Sequence, residues 1–169
     1  MAVLNTLYRG IIAALALFAG CLLVLITVGI GLEAIMRSLG LGLIRGMVDI
    51  AEHAMFCIAL LPAPWILTHQ GHIRITLLTD RLSGVPAKGV ALLGDGICLA
   101  VSLAVTWFGL AVLTDSVIRD ELIFQDLVIP EWWLQWQVPA TFALLSIEFA
   151  LRLIRLLAGN GVPVVPTPL

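Results

Sequence analysis

A run of 22 residues without a charged side chain, Ile11–Leu32, limits the possible folds of this chain more than any other feature. A helix rises 1.5 Å per residue, so this run spans about 30 Å, the thickness of the hydrocarbon core of a bilayer. The composition agrees, because 61% of the 169 residues are hydrophobic and only 12% are charged. Soluble domains usually carry about 25% charged residues. The chain therefore needs lipid as its solvent.

Three more apolar segments predict an all-α membrane protein with four transmembrane helices. The predicted helices cover residues 11–33, 46–68, 88–114 and 136–157 of a single domain. Pro62 and Pro64 lack a backbone N–H and are expected to bend the second helix near Trp65. Residues 159–169 contain three prolines and are interpreted as a loose C-terminal tail. We favour an uncleaved first helix over a signal peptide, because the sequence stays apolar for eleven residues beyond Cys21.

The segment between the second and third helices, His69–Arg81, is the one long amphipathic run of the chain. Its apolar residues alternate in the first half and follow helical spacing in the second half. This pattern predicts a short interfacial segment that lies along the membrane surface. His69 and His72 are interpreted as interfacial rather than metal-binding, because a two-histidine site without nearby carboxylates or thiolates is weak.

The distribution of basic residues predicts how the chain is oriented in the membrane. Four crossings put both termini and the middle loop on one side, together with six of the nine basic residues. These six are Arg9, Arg74, Arg81, Lys88, Arg152 and Arg155. The other side holds Arg37, Arg45 and Arg119. The positive-inside rule therefore predicts that both termini are cytoplasmic.

The acidic segment Asp115–Glu131 is predicted to be a polar loop on the opposite, exterior side. Trp132, Trp133 and Trp136 follow it and are expected to form an aromatic belt at the membrane–water interface. Pro139 then lies in the first turn of the fourth helix, where its missing N–H costs little.

Ionisable residues inside the predicted helices are the candidate functional residues. Glu52 lies about 9 Å into the second helix, so it should face protein, water or a partner charge, or else be solvated by head groups. Asp95 lies one to two turns inside the third helix, where it either takes part in transport or meets a basic residue or water. Glu148 and Arg152 are four residues apart and can pair on one face of the fourth helix.

Other kinds of chemistry are poorly represented in this sequence. It contains neither a phosphate-binding glycine loop nor a nucleophile elbow, and no basic run that would bind nucleic acid. A haem or quinone redox anchor is a third class, but only His53 is well placed in a helix to ligate haem. Cys21, Cys57 and Cys98 are scattered within apolar runs and are expected to be buried thiols rather than disulfides or zinc ligands. We therefore predict a protein that is not an enzyme and has no cofactor, metal or substrate site.

Two motifs resemble a known family of membrane proteins. They are Gly71-His-Ile-Arg-Ile-Thr-Leu-Leu78 after the second helix and Trp136-Gln-Val-Pro-Ala-Thr-Phe142 at the start of the fourth. Both resemble the DctQ-like small permease of tripartite ATP-independent periplasmic (TRAP) transporters, in which a glycine-His-aliphatic-Arg-aliphatic run follows helix two. Glu52 matches an acidic position early in the family's second helix. Thr76 departs from the pattern, because an acidic residue is frequent there.

The resemblance implies a scaffold subunit in the bacterial inner membrane. Such a subunit binds a larger membrane subunit, which carries the substrate and sodium sites, and helps to present a docking face to a periplasmic substrate-binding protein. Substrates of the family are organic acids such as dicarboxylates, sialic acid or keto acids. The candidate interface or structural residues are Glu52, Gly71, His72, Arg74, Asp95, Trp132, Trp133, Trp136 and Pro139. The alternative function is a stand-alone ion-coupled carrier or channel that uses Glu52 and Asp95.

The predicted contact face for the large subunit combines Glu52 with small residues of the first and third helices. These residues are Ala16, Gly20, Ala100 and Ala104, which form two pairs at four-residue spacing. Small residues at this spacing let two membrane helices approach closely.

Overall fold

The computed structural model describes residues 2–41, 46–69, 85–124 and 128–158. In chain order, this part contains α1 (Ala2–Ser38), α2 (Met47–Leu60), α3 (Ala63–His69), α4 (Val85–Arg119), β1 (Leu122–Phe124), β2 (Val128–Pro130), α5 (Trp132–Gln135) and α6 (Gln137–Leu157). Three stretches are long and apolar enough to cross a membrane, namely Thr6–Ser38, Met47–His69 and Gly89–Arg119. The prediction of an all-α membrane protein is confirmed, apart from the small pair of strands. The interfacial segment and the C-terminal tail lie outside the described residues.

α1 and α4 are longer than the predicted helices, with 37 and 35 residues. Each spans about 50 Å, so each must tilt or project beyond a hydrocarbon core of about 30 Å. α4 continues past residue 114 because its last turns bond within themselves. The Thr114 hydroxyl donates to the carbonyls of Leu110 and Ala111, and Arg119 pairs with Asp115 at 2.9 Å. The polar residues extend this helix instead of ending it.

The two prolines of the second predicted helix divide it into α2 and α3. The Leu61 N–H still donates to the Cys57 carbonyl at 3.0 Å and closes α2. The next helical bond runs from the Ile66 N–H to the Pro62 carbonyl at 2.9 Å. Pro62 and Pro64 lack the N–H groups that would join the two helices, as expected from the sequence.

The prediction of a polar loop over Asp115–Glu131 was wrong. Its first five residues belong to α4, and β1 and β2 then pair as antiparallel strands, with Ile123 opposite Ile129. Asp120 makes the turn out of α4 with a left-handed φ of 49°. Five acidic residues surround two short apolar runs, Leu122–Phe124 and Val128–Pro130, whose Ile, Phe and Val residues favour strands.

α1 and α2 pack closely against each other along a seam of apolar and small residues. Ile26 of α1 meets Ala51 and Ala54 of α2 in a buried cluster. A Cβ atom on Gly29 would overlap the side-chain end of Met47. The absence of a side chain at Gly29 therefore leaves the space that the end of the flexible Met47 side chain fills.

α6 lies at the centre of the fold. It packs most extensively against α4 and also contacts α3 and α2. Its fully buried residues are Gln137, Pro139, Thr141, Ser146 and Glu148, of which only the proline is apolar. This 21-residue helix is not among the three membrane-spanning candidates, so the fourth crossing stays a prediction.

Candidate interface and buried polar residues

The two sides of α6 have different chemistry. Pro139 faces α4, where a Cβ atom added to Gly109 would lie 3.3 Å from the proline Cδ. Four polar residues lie about 180° away from Pro139, because they are offset by 2, 2, 9 and 13 positions in a helix of 3.6 residues per turn. These residues, Gln137, Thr141, Glu148 and Arg152, are called the polar face of α6 below.

The charged end of the polar face is an ion pair enclosed by the bundle. Arg152 Nε lies 3.5 Å from Glu148 Oε1, and only 17% and 6% of the two side chains are exposed. Arg152 Nη2 also donates a hydrogen bond to the Leu67 carbonyl in α3. The predicted pairing of Glu148 with Arg152 is confirmed. The sequence did not predict that the pair ties α6 to the end of α3.

Tyr8 joins α1 to the same side of α6. Its hydroxyl donates to the Leu144 carbonyl at 3.1 Å, across 136 positions of sequence. The polar face is therefore in contact with α1 and α3, whereas the opposite side of α6 packs against α4. The Glu148 and Arg152 charges and the Tyr8 hydroxyl, which would be costly in lipid, are thus bonded within this chain.

The other end of the polar face holds two oxygens without a hydrogen-bond partner among the described residues. They are Gln137 Oε1 and Thr141 Oγ1, in residues that are each 1% exposed. Gln137 Nε2 donates to the Leu134 carbonyl at 2.8 Å, which fixes the orientation of the amide. Sequence reasoning missed both residues, although their four-residue spacing continues to Glu148 and Arg152 at helical intervals.

Glu52 lies on the solvent- or lipid-accessible side of α2. The acidic residue of α2 that the fold buries is Asp49, which is 7% exposed. The half-buried His53 ring places Nδ1 2.5 Å from the Asp49 carbonyl. Within the described part of the chain, Glu52 forms no ion pair, so nothing described covers this carboxylate.

Asp95 is half-buried in α4, and its Oδ2 has no hydrogen-bond partner among the described residues. α2 and α4 do not pack extensively against each other. The structure therefore does not bring Glu52 and Asp95 into one site.

Comparison with protein families gives a direct match. The family model described as "Tripartite ATP-independent periplasmic transporters, DctQ component" matches residues 26–159. The chain belongs to the DctQ family. The match covers α2 through α6 and both sequence motifs, so the resemblance seen in the sequence is confirmed. A search of curated proteins found no match.

Membership of the DctQ family sets the class of the protein. DctQ proteins are the small membrane subunits of TRAP transporters, which work with a large permease and a substrate-binding protein. The family is one of transporter subunits rather than enzymes. Together with its long apolar helices, membership makes this chain a multi-pass protein of the bacterial inner membrane.

Three of the five tryptophans of this DctQ protein lie in α5 or directly before α6. Trp132, Trp133 and Trp136 are all exposed, and the first two rings meet edge to face with centroids 5.9 Å apart. Amphipathic rings of this kind favour the membrane–water interface.

β1 and β2 form a hairpin beside these tryptophans, and charged residues cluster around it. Arg119 contacts Asp115 at 2.9 Å and Glu121 at 4.0 Å, and the Glu131 N–H donates to the Glu121 carbonyl at 3.0 Å. A hydrogen bond with the Glu131 side chain raises the pKa of Glu121 above its usual range. The repulsion between the two carboxylates acts in the same direction, and Arg119 opposes it.

The remaining predicted residues have different outcomes. Gly71, His72 and Arg74 lie outside the described residues. The His69 ring stacks on the Trp65 ring with centroids 4.4 Å apart, and its Nδ1 lies 3.0 Å from the Trp65 carbonyl. The ring therefore has its contacts within α3. No group of His, Cys, Asp and Glu in the described ranges has the arrangement of a metal site.

Two further expectations concern the surface of the helices. Cys21 and Cys98 are exposed, so the prediction that all three thiols are buried was wrong. Both lie on the outer sides of membrane-spanning segments, where apolar residues face lipid or a partner instead of a core. Of the small residues predicted to meet the large subunit, Ala16 is half-buried, whereas Gly20, Ala100 and Ala104 are exposed.

Proposed function

We propose that this chain is the scaffold subunit of a sodium-coupled TRAP transporter that imports an organic acid delivered by a periplasmic binding protein. It binds the large permease and carries no transport site of its own. The family match carries this proposal. The contacts of the buried charges support it, because Glu148 pairs with Arg152, and Arg152 also donates to the Leu67 carbonyl, so the two charges do not line an open path.

In the proposed topology α6 is the fourth transmembrane helix, and both termini are cytoplasmic. The polar face of α6 is turned toward α1 and α3, so lipid does not meet its charges. The 6 to 3 distribution of basic residues supports this orientation. The segment after α3 then lies along the cytoplasmic surface, as the amphipathic pattern of His69–Arg81 predicts.

The hairpin and the three tryptophans face the periplasm in this topology. There the hairpin helps to form a docking face for the substrate-binding protein. Its exposed acidic residues support this role, because complementary charge accelerates the encounter of two proteins.

Transport in liposomes tests the proposal. We expect liposomes containing this chain alone to accumulate no radiolabelled organic acid in a sodium gradient, even with the binding protein present. Liposomes that also contain the large permease should accumulate it. Sodium-dependent uptake by this chain alone would overturn the proposal. If this chain and the large permease form a complex that transports no organic acid, the proposed substrate class is wrong.

Asp95 favours a second candidate function, because its buried carboxylate oxygen has no partner among the described residues, and ionisable groups inside membrane helices often mark ion pathways. A stand-alone carrier or channel would use Asp95 and Glu52. In that case Asp95→Asn abolishes transport while the complex with the large permease stays intact. In the scaffold account, Asp95→Asn changes only the assembly or stability of the complex, as measured by co-purification.

A further inference from the structure

One side of α2 is apolar and exposed, apart from a single carboxylate. Val48, Glu52, Met55, Phe56 and Ala59 follow helical spacing and form the exposed face of α2. Val48, Met55 and Phe56 are 68%, 62% and 50% exposed. The opposite side of the helix packs against α1 through Ala51 and Ala54. The described part of the chain therefore leaves this face uncovered.

The depth of Glu52 makes an uncovered position costly. The membrane-spanning stretch Met47–His69 has 23 residues and is about 34 Å long. Glu52 lies five residues from its start, about 8 Å along the axis. A carboxylate at this depth needs protein, water or an opposite charge, and lipid supplies none of these in the hydrocarbon region.

Glu148 shows how this chain accommodates a carboxylate in a membrane helix. Its counter-charge is Arg152, one turn further along the same helix. The positions one turn from Glu52 are Val48, Asp49, Met55 and Phe56, and none is basic. A positive charge that pairs with Glu52 would therefore come from outside α2.

We propose that the exposed face of α2 docks a transmembrane helix of the large permease that places an arginine or lysine against Glu52. The inference rests on the proposed function, because it takes the large permease as the partner. The apolar residues provide the packing surface, and the ion pair fixes the depth and register of the partner helix. Breaking such a pair leaves an uncompensated buried charge, which is strongly destabilising.

Co-purification of the large permease with the tagged full-length chain from membranes tests the ion pair. Glu52→Gln is expected to reduce the recovered permease about tenfold, which corresponds to about 1.4 kcal/mol. Glu52→Asp should restore most of the binding, because the charge is kept. Asp120→Asn is the matched control, since it removes an exposed charge at a left-handed position that asparagine tolerates.

Arg45→Gln tests a counter-charge from within this chain, because Arg45 is the arginine or lysine closest in sequence to Glu52. We expect unchanged recovery of the permease with this variant. A loss as large as that of Glu52→Gln would assign the pair to this chain and overturn the proposal.

Photo-crosslinking locates the surface independently of charge. A photo-reactive amino acid at Met55 should crosslink to the large permease, and one at Phe18, on the side of α1 opposite Ala16 and Gly20, should give a much lower yield. Equal yields, or crosslinks from position 55 to lipid alone, would contradict the docking surface. If the unmodified chain does not recover the permease at all, the proposed function fails; if it does and Glu52→Gln has no effect, only this inference fails.

Discussion

α2 and α6 each carry a carboxylate within an apolar helix, but the fold treats the two in opposite ways. Glu148 is enclosed between helices and bonded to Arg152, whereas Glu52 is exposed and has no ion pair among the described residues. In sequence the two positions look alike, since each is the one glutamate of a mainly apolar helix. The comparison teaches that the fold pairs one glutamate within the chain and leaves the other exposed, which in our proposal is the contact for a second polypeptide.

The largest effect should come from breaking the ion pair of α6. Arg152→Met removes the counter-charge of Glu148 and the hydrogen bond to the Leu67 carbonyl, so we expect a loss of about 3 kcal/mol of unfolding free energy. Denaturant unfolding of the purified subunit measures it. Arg155→Met is the control, because Arg155 is exposed one turn further on and should change stability by less than about 0.5 kcal/mol. Equal losses for the two variants would remove the distinction between the buried and exposed charges of α6.

The side of α6 that packs against α4 gives the next largest effect. Gly109→Leu inserts a side chain where even a Cβ atom lies 3.3 Å from Pro139, so overpacking should cost about 1–3 kcal/mol. Gly89→Leu lies on the same helix with open space around it and serves as the control. The melting temperatures of both variants, measured in a thermal shift assay, test whether α6 packs closely against α4. If Gly109→Leu is as stable as Gly89→Leu, the close contact with α4 is refuted.

A smaller effect is expected from the link between α1 and α6. Tyr8→Phe keeps the ring and removes only the hydrogen bond to the Leu144 carbonyl, which corresponds to about 1 kcal/mol. The same unfolding experiment measures it. A double variant with Arg152→Met shows whether the two contacts act as one network, since coupled contacts give non-additive losses. Unchanged stability of Tyr8→Phe would show that this hydrogen bond contributes nothing.

The smallest effect on stability is expected in the hairpin, where the Glu121 carboxylate is exposed, in contrast to the buried Glu148. Because the Glu131 hydrogen bond raises the pKa of Glu121 in the folded hairpin, protonation favours the folded form. This contribution is complete below the ordinary pKa of glutamate and is lost as the pH rises through the raised value. Hydrogen-exchange protection of the Glu131 N–H should therefore fall over that range. Glu121→Gln should abolish the dependence; if the dependence persists in that variant, another group is responsible.

The helices could be predicted from the sequence because charge-free runs and proline positions are local signals. The proline positions predicted a bend in the second helix, where the structure divides it into α2 and α3, and the pairing of Glu148 with Arg152 needed only helical geometry. The contact of Gly109 with Pro139 depends on the packing of two distant helices, and no local pattern indicates it. The hairpin was not predicted, because the acidic residues around Leu122–Phe124 indicated a polar loop.

The polar face of α6 could be predicted only in part from the sequence. Gln137, Thr141, Glu148 and Arg152 recur at helical spacing, so the sequence contains the signal of a polar stripe. Only the structure shows that this stripe is turned toward α1 and α3, since Tyr8 and Leu67 supply the contacts. The exposed position of Glu52 likewise depends on which side of α2 packs against α1.

The most direct measurement compares Glu148→Gln with Glu52→Gln in the purified subunit, using its melting temperature in detergent. Glu148→Gln should lower the melting temperature by more than about 5 °C, because it leaves Arg152 enclosed without its carboxylate. Glu52→Gln should leave the melting temperature within about 1 °C, because its partner is absent from the isolated subunit. Equal losses, or a larger loss for Glu52→Gln, would contradict the assignment of one glutamate to the interior and the other to a partner.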